Sequence, residues 1–150
     1  MQGTRPQEAE KALRRAVAIS ESVVARSPTV GWYLDPLAES CRFLANILTT
    51  TNEPQEAVGL YEKAIECNEK RLVECPNLEW HKVAVADCRA KLIELLKRLG
   101  RPDAVEKVYR STVAFYEKMA ANHPRLPEYE KELATARKDL EDFLNDRRKN

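Results

Sequence analysis

The chain has 150 residues, of which 33% are charged and 43% apolar, and its 25 Lys and Arg residues nearly balance its 24 Asp and Glu residues. Nucleic-acid binders usually concentrate their basic residues on one stripe. No segment of this chain does so, and no apolar run approaches the roughly 18 residues of a membrane span. The first four residues also lack the features of a signal peptide. We therefore expect a cytoplasmic protein that binds neither nucleic acid nor membrane, with its four cysteines reduced.

The sequence matches itself three times without a gap when it is shifted by 48 residues. A period of about 20–50 residues is typical of proteins whose units bury their apolar faces only by stacking on their neighbours. We expect one domain over residues 1–150, with repeats at about 5–52, 53–100 and 101–148. The matching columns include Pro6, Pro54 and Pro102; Pro28, Pro76 and Pro124; Glu21, Glu69 and Glu117; and Leu44, Leu92 and Leu140.

The first half of each repeat has the apolar spacing of an amphipathic helix, predicted at 7–27, at 54–75 and after Pro102. Pro54 and Pro102 suit the first position of a helix, where no hydrogen bond of the backbone is lost. Gly100 lies just before Pro102, where a helix commonly ends on a left-handed residue. The turn at Gly100 is therefore predicted to be tight, and the helices that it joins antiparallel.

The second half of each repeat predicts another helix, at about 80–99 in the second copy and 128–147 in the third. In the first copy we expect this helix to start near Pro36, after a longer connection, with Asp35 as the N-cap residue. Trp32 and Trp80 occupy one column, and we expect them to be packed anchors at the turns between repeats. The alternative is an aromatic rim that binds a ligand.

The residues across each tight turn resemble tetratricopeptide repeats, because small, large and aromatic residues alternate there as in that family. The resemblance implies an all-α, right-handed α-solenoid of three helix pairs, or six antiparallel helices. The period of 48 exceeds the usual 34, and this long variety resembles repeats attached to some bacterial serine/threonine kinases and, more distantly, those of kinesin light chains. The residues concerned are Leu92, Leu96, Gly100, Val105, Tyr109 and Thr112, and likewise Leu44, Ala45, Leu48, Asn52, Ala57, Tyr61 and Ala64.

The resemblance further implies a non-catalytic scaffold for protein–protein interaction, without a cofactor. In the family one helix of each pair lines a concave groove, so a peptide of mixed charge is the expected ligand. The alternative is that these positions are only a solvated face with incidental charge pairs. The groove positions implied by the family spacing are Glu39, Arg42, Asn46, Thr49, Asp87, Glu94, Lys97, Lys138 and Asp142, with Ala90, Thr135 and Asn145 among them.

The first helix is expected to have an apolar flank without a neighbour, because the chain opens with the second helix of a pair. We expect this flank to be covered by a second copy, giving a homodimer, by a partner helix or by further sequence. The alternative is that residues 32–34 fold back over it. The residues of this possible oligomer face are Ala9, Leu13, Ala16, Val17 and Val24.

Neither catalysis nor a metal site is supported by any motif in the sequence. His81 and Cys88 lie seven residues apart and Cys75 ends the preceding helix, but this is not the paired spacing of zinc ligands. Cys67 and Cys88 align with apolar or small residues of the other copies, which indicates packing. The column of Glu21, Glu69 and Glu117 is expected to form salt bridges with basic residues of a neighbouring repeat.

Overall fold

The structure is a computed structural model that describes residues 4–51 and 53–149, so that Asn52 lies outside the described residues. Within them it contains six α-helices and no strand, which confirms the all-α fold of helix pairs. A 3₁₀ turn over Gly31–Tyr33 precedes the second helix. The helices are α1 (Thr4–Arg26), α2 (Leu34–Thr49), α3 (Pro54–Glu74), α4 (Glu79–Arg98), α5 (Pro102–Asn122) and α6 (Pro127–Lys149).

The chain forms two compact units, which meet in sequence between Leu95 and Leu96. In the first unit α1 packs on α2 and α2 packs on α3, and in the second α5 packs on α6. Each unit has its own apolar core. The largest fully buried side chains are Cys41, Leu44, Leu48, Tyr61, Leu72, Val85, Leu92 and Leu95 in the first unit, and Leu96, Val105, Met119 and Tyr129 in the second.

The 48-residue period is visible in the backbone hydrogen bonds of the turns as well as in the sequence. After α1, α3 and α5 the chain closes the helix with the same bond, in which an amide donates to the carbonyl four residues earlier. A second amide, three residues later, donates back to the residue that closed the helix. The bonds are Ser27 to Val23, Cys75 to Arg71 and His123 to Met119, followed by Val30 to Ser27, Leu78 to Cys75 and Leu126 to His123.

The start of α2 differs from the sequence prediction in one respect. The helix begins at Leu34, near the predicted start, and the 3₁₀ turn fills the longer connection. Pro36 lies in the first turn of α2, where its missing N–H costs no hydrogen bond within the helix. The prediction of Asp35 as N-cap was wrong, because Asp35 lies inside the first turn of α2 and Tyr33 occupies the N-cap position. The Asp35 carboxylate instead accepts a hydrogen bond from Arg71 Nε at 2.7 Å.

The turn between α4 and α5 is tight, as Gly100 and Pro102 predicted. Gly100 has a φ of 65°, its amide donates to the Lys97 carbonyl at 3.0 Å, and the Arg101 amide donates to the Leu96 carbonyl at 3.0 Å. This pair of bonds is the Schellman motif, which satisfies the last carbonyls of a helix and needs a residue with positive φ. Pro102 then begins α5.

A buried polar cluster joins α2, α3 and α4 in the first unit. Asn68 Nδ2 donates to the Ala64 carbonyl at 2.7 Å, which leaves Asn68 Oδ1 to accept from His81 Nδ1 at 2.7 Å. His81 Nε2 lies 3.6 Å from the Asp35 carboxylate. Tyr116 and Tyr129 hold the equivalent positions of the third repeat, with ring centroids 6.4 Å apart. One packing position is therefore filled by a polar pair in one repeat and by an aromatic pair in another.

The Schellman turn generates a prediction with an internal control. Gly100→Ala should lower the free energy of unfolding by about 1–2 kcal/mol, because an L-residue is disfavoured at positive φ. Gly59→Ala should raise it by about 0.5–1 kcal/mol, because Gly59 lies inside α3 and an added Cβ would meet no atom within 4 Å. Urea denaturation followed by circular dichroism measures both. Equal effects of the two variants would contradict the assigned turn.

His81 should make stability depend on pH. Burial lowers its pKa below the ordinary 6.5, Arg71 lowers it further, and Asp35 opposes both. The unfolded chain therefore takes up this proton first as the pH falls through about 6.5, and the folded state loses stability. Denaturation at pH 7.5 and at pH 5.5 should show a smaller loss for His81→Gln than for the unchanged protein. His123→Gln should keep the original loss, and a loss unaffected by His81→Gln would refute the prediction.

Candidate functional site

The first unit carries an exposed cluster of one arginine and three large apolar residues, here called the Arg42 patch: Arg42, Phe43, Trp80 and Val83. Arg42 and Phe43 belong to α2, and Trp80 and Val83 lie one turn apart on α4. The Arg42 guanidinium lies 4.4 Å from the centroid of the Phe43 ring and 5.9 Å from that of Trp80. The side chains of Phe43, Trp80 and Val83 are 42%, 62% and 58% exposed.

The charge of Arg42 is not neutralised by any carboxylate in the part of the chain that the structure describes; its contacts are with the two rings. A cation over an aromatic face is held in place by the negative face of the ring. The guanidinium nevertheless keeps its N–H donors for a carboxylate, which arginine binds with two parallel hydrogen bonds. The patch thus offers an apolar surface and a positioned positive charge side by side.

Asn46 and Thr49 lie farther along α2, where they brace the helix against α3. The Tyr61 hydroxyl donates to Asn46 Oδ1 at 2.7 Å and lies 3.4 Å from the Thr49 hydroxyl, which itself donates to the Ala45 carbonyl at 2.7 Å. Burial raises the pKa of Tyr61, so this phenol stays protonated and remains a donor. Two of the predicted groove positions therefore have a role in packing.

The remaining predicted groove residues are distributed over both units. In the first unit Asp87 forms an ion pair with Lys91 at 2.9 Å, and Glu39 and Glu94 are exposed. Lys97, Lys138 and Asp142 belong to the second unit and are also exposed. The structure thus associates Arg42 with aromatic residues that the prediction of the groove did not include.

The prediction that both tryptophans are buried anchors was wrong. Trp32 is 60% exposed and Trp80 is 62% exposed, and Trp32 packs on Tyr33 with ring centroids 4.3 Å apart. A signal for the patch did exist in the sequence. Phe43 occupies a column that holds Lys91 and Asp139 in the other copies, so it interrupts a polar position with an aromatic ring.

The residues of the predicted oligomer face differ in their burial. Val17 is buried within the chain, Leu13, Ala16 and Val24 are half-buried, and Ala9 is exposed. The large apolar residues that α1 leaves most exposed are Ile19, at 62%, and Val23, at 37%. The prediction combined residues of two stripes: Ala9 and Ala16 lie on the same stripe as Ile19 and Val23, whereas Leu13, Val17 and Val24 lie on the other.

The recurring glutamates form ion pairs, as the sequence predicted, but only Glu21 pairs with a residue of a neighbouring repeat. The prediction of a neighbouring repeat was wrong for Glu69 and Glu117, whose partners lie in their own repeats. Glu69 pairs with Arg89, and Glu117 pairs with Arg137 at 2.9 Å, so the same pair recurs 48 residues later. In the first repeat Cys41 stands where these arginines would be, and Glu21 pairs with Lys63 of α3 instead. Such pairs act in packing the helices rather than in acid–base chemistry.

Three of the four cysteines are core residues. Cys41, Cys67 and Cys88 are buried and Cys75 is exposed. Burial raises the pKa of Cys41 to about 12 and that of Cys67 and Cys88 to about 11, so these thiols stay neutral. This confirms that Cys67 and Cys88 are packing residues. Within residues 4–51 and 53–149 no group of three or more His, Cys, Asp and Glu residues could hold a metal ion.

Residues 37–74, which comprise most of α2 and the whole of α3, match the profile of the tetratricopeptide repeat family. This segment is a tetratricopeptide repeat, which confirms the resemblance seen in the sequence. The family indicates a scaffold for protein–protein interaction, and its repeats are typically not catalytic. None of the described helices has the length and apolar character needed to cross a membrane. No curated protein matches the chain, and no solved structure matches it either.

Proposed function

We propose that this protein is a non-catalytic scaffold that binds a peptide or a segment of a partner protein, with the Arg42 patch at the centre of the binding surface. The observation that supports this most is the exposure of Trp80 beside an arginine that has no carboxylate partner among the described residues. Tryptophan and arginine are enriched among the residues that dominate binding energy at protein interfaces. No cofactor and no metal is part of this proposal.

The chemistry of the patch defines the preferred ligand. An aromatic or aliphatic side chain of the partner would cover Phe43, Trp80 and Val83, and an adjacent carboxylate would pair with Arg42. Covering the patch would remove apolar surface from water, which contributes about 25 cal/mol per Å² before the costs of binding are subtracted. Because Glu39 and Glu94 are exposed on the same two helices, a basic residue beyond the carboxylate would also be favoured.

The predicted groove residues of the second unit remain proposed contacts of a ligand at that unit. Lys97, Lys138 and Asp142 are exposed and provide charges of both signs in the second unit. We also propose a cytoplasmic location, which the three buried thiols support, because free cysteines persist most readily in a reducing compartment.

Selection of peptides tests this proposal directly. Random twelve-residue peptides displayed on phage are selected on the immobilised protein, and the recovered peptides are synthesised with a fluorophore and titrated by anisotropy. We expect sequences that place Asp or Glu next to an aromatic or aliphatic residue. Trp80→Ala and Arg42→Glu should each weaken their binding by about tenfold or more, which is the effect of a dominant interface residue.

Trp32→Ala is the matched control for Trp80→Ala. Trp32 is a tryptophan in the same column with nearly the same exposure, but its ring packs on Tyr33. No arginine of the described residues lies over it. Its replacement should leave the affinity unchanged. The proposal fails if Trp80→Ala and Trp32→Ala have equal effects, or if no selected peptide is sensitive to Arg42→Glu.

A second candidate function is self-association through α1. The observation in its favour is that Ile19 and Val23 are exposed, whereas Leu13, Val17 and Val24 of the same helix are half-buried or buried. It uses a surface different from the Arg42 patch, so the two functions are compatible and can be tested independently.

A further inference from the structure

Helix α1 carries two apolar stripes, of which the described residues of the chain cover one and leave the other open. The covered stripe contains Leu13, Val17 and Val24, which are half-buried or buried. The second, here called the α1 seam, has the alternating spacing of three and four residues that is typical of a coiled-coil seam. The α1 seam consists of Ala9, Ala12, Ala16, Ile19 and Val23.

The internal repeat shows what normally covers this stripe. The α3 residues 48 positions after the α1 seam begin with Ala57, Leu60, Ala64 and Cys67, whose exposures are 0%, 8%, 0% and 5%. Helix α2 packs on α3, and Arg71, the next residue of this stripe, donates a hydrogen bond to Asp35 of α2. In α1 the same positions are exposed or half-buried, and Ile19 reaches 62%. The face that α2 covers on α3 is thus uncovered on α1, and a helix is the element that fits there.

We infer that a second copy of this chain covers that face, with the two α1 helices antiparallel and a two-fold axis between Ala16 and Ile19. The inference rests on the second candidate function and specifies its geometry. A coiled-coil seam alternates two kinds of position, called a and d. In an antiparallel pair each a residue faces a d residue of the partner helix. A two-fold interface uses the same surface on both subunits, so the seam must be complementary to itself.

The α1 seam meets this requirement by residue size. Its N-terminal half is alanine and its C-terminal half is Ile19 and Val23. In the antiparallel register Ala16 faces Ile19 of the partner subunit, and Ala12 faces Val23 of the partner subunit. Each layer then combines a small residue with a large one, and each layer occurs twice. A parallel register would instead place alanine on alanine and isoleucine on isoleucine.

The charges at the two ends of the seam favour the same arrangement. Glu8 directly precedes the first seam residue, and Arg26 follows the last one by a turn of helix. Both are exposed, and neither forms an ion pair with any other residue that the structure describes. In the antiparallel register Arg26 lies next to Glu8 of the partner subunit, and Glu8 next to the partner's Arg26, whereas a parallel register would bring like charges together. Flanking charges of this kind set orientation and partner choice in helix pairs.

Light scattering on a sizing column, over a broad range of concentration, tests the inference. We expect a mass of about twice the 17.2 kDa of one chain, falling to that of one chain on dilution. Ile19→Glu with Val23→Glu should give the mass of a single chain at every concentration. Val73→Glu is the matched control, because Val73 is 41% exposed on α3 outside the seam, and it should leave the dimer intact.

Charge exchange tests the orientation. Glu8→Arg and Arg26→Glu should each raise the concentration at which the dimer dissociates, because each places like charges together at both ends of the seam. The double variant Glu8→Arg, Arg26→Glu should restore the original dissociation. An equal mixture of the two single variants should form a mixed dimer in preference to either dimer of one variant, and a mixture without this preference would refute the antiparallel register.

The two experiments separate the inference from the function on which it rests. A single-chain mass of the unchanged protein at all concentrations would overturn both self-association and this inference. A dimer that survives Ile19→Glu with Val23→Glu would leave self-association standing and refute the α1 seam.

Discussion

The structure depends on one constraint, which is that a helix in the interior of a repeat array must bury two apolar stripes and therefore needs a neighbour on each side. In α3 both requirements are met within the chain. Ala57 and Ala64 are completely buried on the side where α2 packs, and on the other side Asn68 bonds to His81 of α4. Because each such helix carries two apolar stripes, the repeats are recognised more easily from the residues of the turns than from any one column of apolar residues.

Polar contacts fix the relative positions of packed helices where the apolar stripes alone would allow several positions. The Asp35–Arg71 pair and the Asn68–His81 bond connect three helices of the first unit. Replacing either Asn68 or His81 alone by an apolar residue would leave the other as a buried polar group without its partner. The third repeat uses Tyr116 and Tyr129 at the same place. Helices that are held in this way present a fixed surface, and on α2 and α4 that surface is the Arg42 patch.

Much of the fold could be predicted from the sequence because the period of 48 residues fixes the turns. Pro54, Pro102 and Gly100 have a conformational role that needs no knowledge of neighbours, and the helix ends that they imply are observed. The exposure of Trp80 could not be predicted. The recurrence of a tryptophan after 48 residues does not show which side of its helix the neighbouring helices cover. For the same reason the uncovered face of α1 was assigned to Val17, which is buried, rather than to Ile19. Which of two apolar stripes on one helix is buried can be told only when the positions of the neighbouring helices are known.

Amide hydrogen exchange, followed by mass spectrometry at several protein concentrations, tests most directly whether α1 needs a second neighbour. The amides of α1 should exchange faster than those of α3 at low concentration, because one stripe of α1 is then uncovered. As the concentration rises, exchange in α1 should slow while exchange in α3 and α5 stays constant. Exchange in α1 that equals that of α3 and is independent of concentration would contradict the account.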